Sequence, residues 1–447
     1  MIILPPALRG PGMVKSPPLD IANLVAILKL NANNKIRIVD FRKNVVINSS
    51  FYHERGIDLS IFNDFKRCLR HFLIEDVEIS RNVEQILSGT NFDGLQYVVF
   101  SVSILEQFSL PFLLSSLCLA KHVKDKFPKI KIVFFGNCPD THIKKIIRVF
   151  KLIDAFPIGG NEFYVADYIQ GQTKGVYYRK NGKVFSPKKV KNVNLDSFPL
   201  PDLSLFDLES YKSNGRLVLP YESSRGCINS CFYCYYIHKG TINIKKPSKA
   251  VAELMMLSRE YGTDRFHLMD AAINLDPDWL MRFCDLLGEQ HGKIKFSALA
   301  IPNMHKLLLD KLKAAGCVQL RWGVESGSER MLKKINKGIT KGSIKDTLAY
   351  AHLIGINNYI TLISGLVCER ESDVDETMAF IQEIAPYVDS AKECVYGELG
   401  HFSLAVFDSL MNNSKPQRHE SRYKSILGRL NIGQEDIIDF MARQAVH

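Results

Sequence analysis

Three cysteines crowded onto one short stretch carry the most chemistry in this sequence. Cys227, Cys231 and Cys234 stand in a C-x3-C-x2-C spacing within Ser223–Cys234. Three thiolates on a short loop can hold three corners of an iron–sulfur cube. The fourth iron of a 4Fe–4S cluster is then open to a small molecule, so the spacing points to chemistry rather than electron storage. Two other readings use the same residues. A structural zinc needs four ligands and could recruit His238, but such sites normally add a second Cys/His pair, and none lies nearby. Disulfides fit an odd trio poorly, and the ten scattered cysteines of the chain suit a reducing cytoplasm.

The elements that must position this loop alternate between strand and helix. In the first third, Met1–Leu4, Lys35–Phe41, Gln96–Ser101, Lys131–Phe135 and Ile153–Ile158 read as strands. Leu19–Leu30, Leu59–Leu73, Leu110–Val123 and His142–Phe150 read as helices. That order predicts a parallel, doubly wound sheet, whose ligands bind beyond the carboxyl ends of the strands. Pro5-Pro6, Ser101-Val102-Ser103, Gly136-Asn137 and Gly159-Gly160 fall there, and small residues let a large cofactor approach the backbone. Plain turn chemistry would also account for any one of these glycines.

Residues 172–215 read as a linker, with a hairpin around Asn181-Gly182 and a proline-rich run, Asn194–Asp202. From Leu217–Tyr221 the strand–helix alternation resumes and feeds the cysteine loop. Arg265–Met269, Lys295–Ala298, Val318–Gly323 and Tyr359–Ile363 are further strands, each followed by a helix. Repeats of this length predict a full or partial barrel with its chemistry at the strand C-termini. The cysteine loop, Asp270, Ser297, Glu325 and Gly365 all follow strands and should share one mouth. The expected division is 1–171, 172–215, 216–398 and a basic C-terminal tail or cap, 399–447.

The bulk properties exclude several classes. The chain has 447 residues, is 46% hydrophobic and 23% charged, and so is globular rather than disordered or fibrous. It shows no signal peptide and no run of ~18 apolar residues, so no membrane role is expected and a cytoplasmic location is. A net charge of +11 is compatible with nucleic acid, an acidic peptide, an anionic cofactor or simply a solvated basic surface. No RNA-binding module is recognisable, so nucleic acid is not the expected partner.

The motifs resemble those of a known superfamily. The cysteine loop, with Tyr233 before its last cysteine, resembles the radical S-adenosylmethionine (radical SAM) signature. Trp322-Gly323-Val324-Glu325-Ser326-Gly327-Ser328 with Asn336-Lys337-Gly338 is similar to a second block of that superfamily. Ile363-Ser364-Gly365-Leu366, followed by Glu369, Asp373, Glu376 and Thr377, is similar to a third. The resemblance covers about residues 217–390. The N-terminal strands with Ser101, Ser103, Phe134-Phe135-Gly136 and Gly159-Gly160 resemble cobalamin-binding domains joined to such barrels, as does the linker Leu195–Asp202. The chain is thus identified as a member of the cobalamin-dependent (class B) radical SAM family. It departs from the family in lacking the corrinoid D-x-H-x-x-G motif, since Asp140-Thr141-His142 has no matching glycine. It also lacks an arginine just after Ser297, where Ala300 and Ile301 stand.

What the resemblance implies is a Rossmann-like cobalamin-binding domain followed by a TIM-like radical SAM barrel. Its cofactors would be a 4Fe–4S cluster on Cys227, Cys231 and Cys234, S-adenosyl-L-methionine, and cobalamin as methylcobalamin. The implied activity is methylation of an unactivated carbon of a peptide or small natural product, started by a 5′-deoxyadenosyl radical. An electron donor such as flavodoxin or ferredoxin would be the protein partner. Glu325 is implied to anchor S-adenosylmethionine, with Tyr233, Asp270, Ser297, Gly323, Ser326 and Gly365 around it, and a rim ion pair is the alternative for Glu325. Ser101, Ser103, Gly136 and Gly160 would face the corrinoid. His238 with Tyr235 or Tyr236 would line the substrate side, Cys138 follows a cofactor-side turn, and the other cysteines read as core. Two other functions remain: a rearrangement or cyclisation with the same cofactors, and a non-catalytic corrinoid or cluster-binding protein. A methylthiotransferase fits less well, for want of a second cysteine trio.

Overall fold

The computed structural model describes residues 1–6, 16–42, 52, 54–104, 107–187, 194–234, 236–366, 368–396, 421–430, 432 and 441. Tyr235 and most of the expected tail from 399 lie outside them. The chain divides into two compact units, Met1–Val193 with Phe198–Tyr211, and Asn194–Ser197 with Lys212–His447. The linker segment is therefore shared: Asn194–Ser197 packs with the second unit and Phe198–Tyr211 with the first.

The first unit is built on a seven-stranded sheet. In chain order its strands are β1 (Ile2–Leu4), β2 (Ile38–Asp40), β3 (Tyr97–Ser101), β4 (Lys131–Phe135), β5 (Ala155–Pro157), β6 (Val176–Lys180) and β7 (Lys183–Phe185). They lie in the order β2-β1-β3-β4-β5-β6-β7, parallel up to β5 and antiparallel after it. The doubled-back order around β1 and β3 gives the sheet a switch point. The central strands are continuous apolar runs, as expected of strands covered on both faces. The β6–β7 turn is the expected one: Asn181 (φ 49°) and Gly182 (φ 75°) are both left-handed, as a two-residue type I′ turn requires.

Two helices depart from the sequence reading. Leu59–Leu73 is not one helix but a 3-10 turn, Leu59–Asn63, followed by an α-helix, Phe65–His71. The break is at Asp64, whose extended backbone and side chain cap the second helix by accepting from Arg67 N. Val77–Leu87 and Glu162–Ile169 are further helices that periodicity did not single out, capped by Asp76 and Asn161.

The second unit holds six parallel strands: β8 (Leu219–Tyr221), then β11 (Arg265–Leu268), β12 (Lys295–Ala300), β13 (Cys317–Glu325), β14 (Asn357–Ser364) and β15 (Ser390–Val395), with β9 (Ser224–Cys227) and β10 (Thr241–Ile244) forming a separate antiparallel pair. The parallel strands neighbour one another in sequence order, with β8 and β15 as the two edges, so the barrel is partial. Helices follow the strands: Pro247–Tyr261, Pro277–Gly288, Lys306–Ala314, Glu329–Ile335, Lys341–Leu353 and Glu371–Ile384. Trp322 marks the helix-covered face. It is fully buried, and its indole N–H donates to Asn358, whose amide donates on to the Leu348 and Tyr387 carbonyls. By alternation Gln319, Arg321 and Gly323 belong to the opposite, concave face. Part of the basic tail, around Lys424–Arg429, packs against the last strand. Tyr423 is buried and donates to Glu369 (3.0 Å), and Ser421 donates to Glu393 (2.5 Å).

Candidate active site

The cysteine loop is not a free loop. Its first half is β9, paired with β10 so that Cys227 stands opposite Thr241. Gly226 makes the pairing possible. Its φ is +120°, and a Cβ there would come 2.2 Å from the Thr241 carbonyl oxygen. The hairpin closes behind Cys227, whose N–H donates to the His238 carbonyl (3.0 Å) and whose carbonyl accepts from Gly240 N (2.8 Å). The turn beyond it is set by Cys234 N donating to Cys231 O (3.1 Å), and Lys239 Nζ donates to the same carbonyl (3.2 Å).

Cys231 is buried, while Cys227 and Cys234 are half-buried. Burial pushes the Cys231 and Cys234 thiols up, so ligation would have to displace their protons. Among the described residues, no three His, Cys, Asp or Glu side chains converge closely enough to cage one metal ion. A single zinc needs that convergence. A cube does not, because each thiolate meets a different iron. Three thiolates on one turn match the three protein corners of a 4Fe–4S cube.

Strand β13 delivers the acidic group. Its register with β14 slips between Gly323 and Glu325, and Glu325 takes φ +66°, rare for a residue with a side chain. The bulge re-aims Glu325. Its Oε1 accepts from the Tyr233 hydroxyl (2.8 Å) and from Lys337 Nζ (2.6 Å), and Lys337 also donates to the Gly323 carbonyl (3.1 Å). A side chain at 323 would strike both charged groups, its Cβ falling 2.1 Å from Lys337 Nζ and 2.5 Å from Glu325 Oε1. Burial, then the Glu325 carboxylate, holds the Tyr233 phenol well above its ordinary value, so it remains a donor. The Tyr233 ring packs with Cys231, Met331, Ile335, Ile363 and Leu366. Cys234, Cys368 and Cys394 are half-buried and pack against this apolar cluster.

Asp270, after β11, is fully buried and clamps the start of the hairpin. Its carboxylate accepts from Ser223 Oγ (2.8 Å), Ser224 Oγ (2.5 Å) and the Ser224 N–H. Burial lifts it to about 6 against these bonds. Ser297 is buried within the sheet and bonded to His267 Nδ1 at 2.9 Å. Burial, then the charge of Arg321, lowers His267 to about 3 and keeps it neutral. Ser326 is buried against Thr377 (3.1 Å), and Gly365, at φ 74°, donates its N–H to Glu369 (2.6 Å). The structure thus gathers Cys231, Tyr233, Gly323 and Glu325 directly, ties Asp270 to the hairpin, and sets Ser297 and Ser326 within the packing.

Lys337, His267, Arg321 and the Ser223–Ser224 pair were not assigned roles from sequence. The signal for Arg321 was present: Gln319 and Arg321 interrupt a strand whose other face is entirely apolar.

In the first unit, Ser103, Gly136 and Gly160 gather beyond the strand ends, and Ser101 closes β3. Ser103 Oγ accepts from Asn137 N (2.7 Å). A Cβ on Gly136 would lie 2.2 Å from Ser103 Oγ, and one on Gly160 would lie 2.2 Å from Asn137 Oδ1. Ser101 is buried and its hydroxyl lacks a hydrogen-bond partner. Cys138 is fully buried and its thiol is raised, first by that burial and then by Asp140.

Residues 221–381 match the Radical SAM superfamily. The second unit carries a radical SAM domain. Such a domain implies a 4Fe–4S cluster and S-adenosylmethionine. The chain is 25% identical to an uncharacterized methyltransferase of Pyrococcus horikoshii over 60% of this chain and 61% of that protein. It is 26% identical to the cytidylyl-2-hydroxyethylphosphonate methyltransferase of Streptomyces wedmorensis over 47% and 41%. The chain thus spans less than two thirds of these relatives. Its fold is shared with the cobalamin-dependent radical SAM enzyme OxsB, bound to aqua-cobalamin and S-adenosylmethionine (TM-score 0.60, 18% identity, 92% of this chain and 55% of that one). It is also shared with the radical SAM methyltransferase TsrM from Kitasatospora setae, bound to tryptophan and a SAM analogue (TM-score 0.60, 13% identity, 88% and 72%). Among the described residues no helix is long and apolar enough to cross a membrane.

Proposed function

We propose that this chain is a cobalamin-dependent radical SAM methyltransferase that methylates an unactivated carbon of a peptide or natural product. The observation that carries the reading is the three-cysteine hairpin, pinned at the C-terminal end of six parallel strands beside the Tyr233–Glu325–Lys337 network. Barrel chemistry belongs at that end. When bound, the cluster would supply the electron that cleaves S-adenosylmethionine, and cobalamin the methyl group. Cys227, Cys231 and Cys234 would hold the cluster, and Asp270 positions the strand that carries Cys227. Glu325, turned by its bulge, offers a carboxylate oxygen to a hydroxyl or ammonium group of S-adenosylmethionine.

The first unit, over residues 1–171, would take the corrinoid. Gly136 and Gly160 let the Ser103 and Asn137 side chains pack against the backbone beyond the strand ends, and the buried Ser101 hydroxyl has a bond to give. The relative named for a phosphonate supports a substrate with an acidic group. A flavodoxin or ferredoxin would deliver the electron.

The test is anaerobic reconstitution with iron, sulfide and cobalamin, then an optical spectrum and a nucleoside assay. The expected outcome is bound corrinoid, cluster absorbance, and 5′-deoxyadenosine that disappears in Cys231→Ser. A protein that binds no corrinoid would refute the assignment of residues 1–171. Product mass separates methylation from rearrangement or ring closure, which add no methyl unit.

A further inference from the structure

The concave face of the second unit carries a cation without a counter-ion. Arg321 lies mid-strand in β13, level with Leu299 on β12 and Tyr359 on β14. Its guanidinium stacks on the Tyr359 ring, 5.0 Å from the centroid. Its Nε is buried and has no hydrogen-bond partner, and among the described residues no carboxylate pairs with it. The same face carries His267, Ser297, Gln319, Asn357 and Lys392, at alternating positions of adjacent strands. Gln319 and Asn357 bond to each other (2.8 Å), as do Ser297 and His267 (2.9 Å). Two of these pairs are thus internally bonded, whereas Gln319 Oε1, like Arg321 Nε, is buried without a partner.

A guanidinium N–H held off water without a partner is costly. Guanidinium is the group best shaped for planar, bidentate recognition of carboxylate or phosphate, and stacking on an aromatic face fixes its plane in advance. We propose that Arg321 is the binding group for an oxyanion, a carboxylate, phosphate or phosphonate, admitted to the concave face of the barrel. Tyr359 orients the guanidinium. The oxyanion has two sources: the carboxylate of S-adenosylmethionine, or an acidic group of the substrate. What the anion belongs to rests on the function proposed above. The need of Arg321 for a partner does not.

Phenylglyoxal labelling of the full chain, with Arg321 occupancy read by peptide mass spectrometry, tests this without loaded cofactors. Inorganic phosphate should protect Arg321 relative to chloride at equal ionic strength. Equilibrium dialysis of S-adenosylmethionine against the reconstituted protein then identifies the source. If the anion is the cofactor's carboxylate, Arg321→Gln should weaken binding about ten- to a hundredfold, the range of one charge-assisted contact, with partial rescue in Arg321→Lys. If it is the substrate's, S-adenosylmethionine binding should be unchanged while phosphate protection persists. Melting of the cofactor-free protein separates a ligand role from a structural one. Arg321→Met should melt no lower than the parent chain. Labelling of Arg321 that neither phosphate nor S-adenosylmethionine slows, or a marked fall in melting temperature on Arg321→Met, would overturn the proposal.

Discussion

Asp270 holds the cysteine hairpin at an electrostatic cost that should be measurable. Its carboxyl rises from 3.8 to about 6 in the folded chain because burial outweighs the bonds from Ser224 and Ser223. That difference corresponds to about 3 kcal/mol for a fully buried group. A raised folded-state value means that the native chain binds the proton more tightly than the unfolded one. Stability from this group is therefore greatest below about pH 4 and falls as pH rises to about 6. An asparagine side chain in its place would mimic the protonated acid at every pH. The prediction is that Asp270→Asn gains on the parent chain by up to about 3 kcal/mol between pH 4 and 7. Asp270→Ala should instead lose about 1–3 kcal/mol, because it leaves the buried Ser224 N–H unpaired. The assay is denaturant unfolding of the reduced, cofactor-free chain followed by tryptophan fluorescence. Both tryptophans, Trp279 and Trp322, belong to the second unit, so the signal reports that unit. A parent chain that gains on Asp270→Asn as pH rises would refute the reasoning. It would mean that the serine bonds outweigh desolvation.

Further perturbations bear on the other contacts. Lys337→Met should destabilise the second unit by about 3–5 kcal/mol, since it strands the buried Glu325 carboxylate, and Glu325→Gln in the same chain should recover part of that loss in the same unfolding assay. Gly323→Ala should disturb the Lys337–Glu325 contact without removing either group, and so lower cluster retention, counted as iron per chain, in the same direction as Glu325→Gln should. Gly136→Ala should reduce corrinoid retention after gel filtration while leaving iron content unchanged, because its Cβ would strike Ser103 in the first unit.

Much of this arrangement was legible in the sequence, for identifiable reasons. Strand–helix alternation and turn glycines are local signals, and they gave both sheets and the Asn181-Gly182 turn. The cysteine spacing is likewise local. What was not legible depends on pairing across the chain. The hairpin between Ser224–Cys227 and Thr241–Ile244 joins segments whose alternation is too short to read. Asp270 faces two serines far back in sequence, and no spacing rule links them. The break at Asp64 was a matter of rank: an acidic cap inside an apolar run was outweighed by periodicity. Arg321 was missed because a charged residue in a strand reads as a solvent-facing position, whereas here the face it occupies lines the inside of a partial barrel.

The cysteine hairpin is held from several directions, and each contact comes from a different part of the second unit. Asp270, beyond β11, grips Ser223 and Ser224 at its base. Glu325, at the end of β13, grips Tyr233 near its tip. Lys239, on the returning arm, grips the Cys231 carbonyl between them. A loop held only by its own turn would relax when one bond is lost. This one is over-determined by strands whose spacing is fixed by ladder hydrogen bonds. The strained φ of Glu325 belongs to the same scheme. A left-handed conformation at a side-chain-bearing residue costs about 1–3 kcal/mol and persists only where its surroundings impose it. Here the surroundings are the bulge, the close approach of Gly323, and the Lys337 ammonium. Glu325→Gly should therefore relieve the backbone while freeing Tyr233. If the carboxylate's purpose is to hold the loop for ligation, that variant should retain less iron per folded chain than the parent, the backbone relief offsetting part of the cost of leaving Lys337 unpaired.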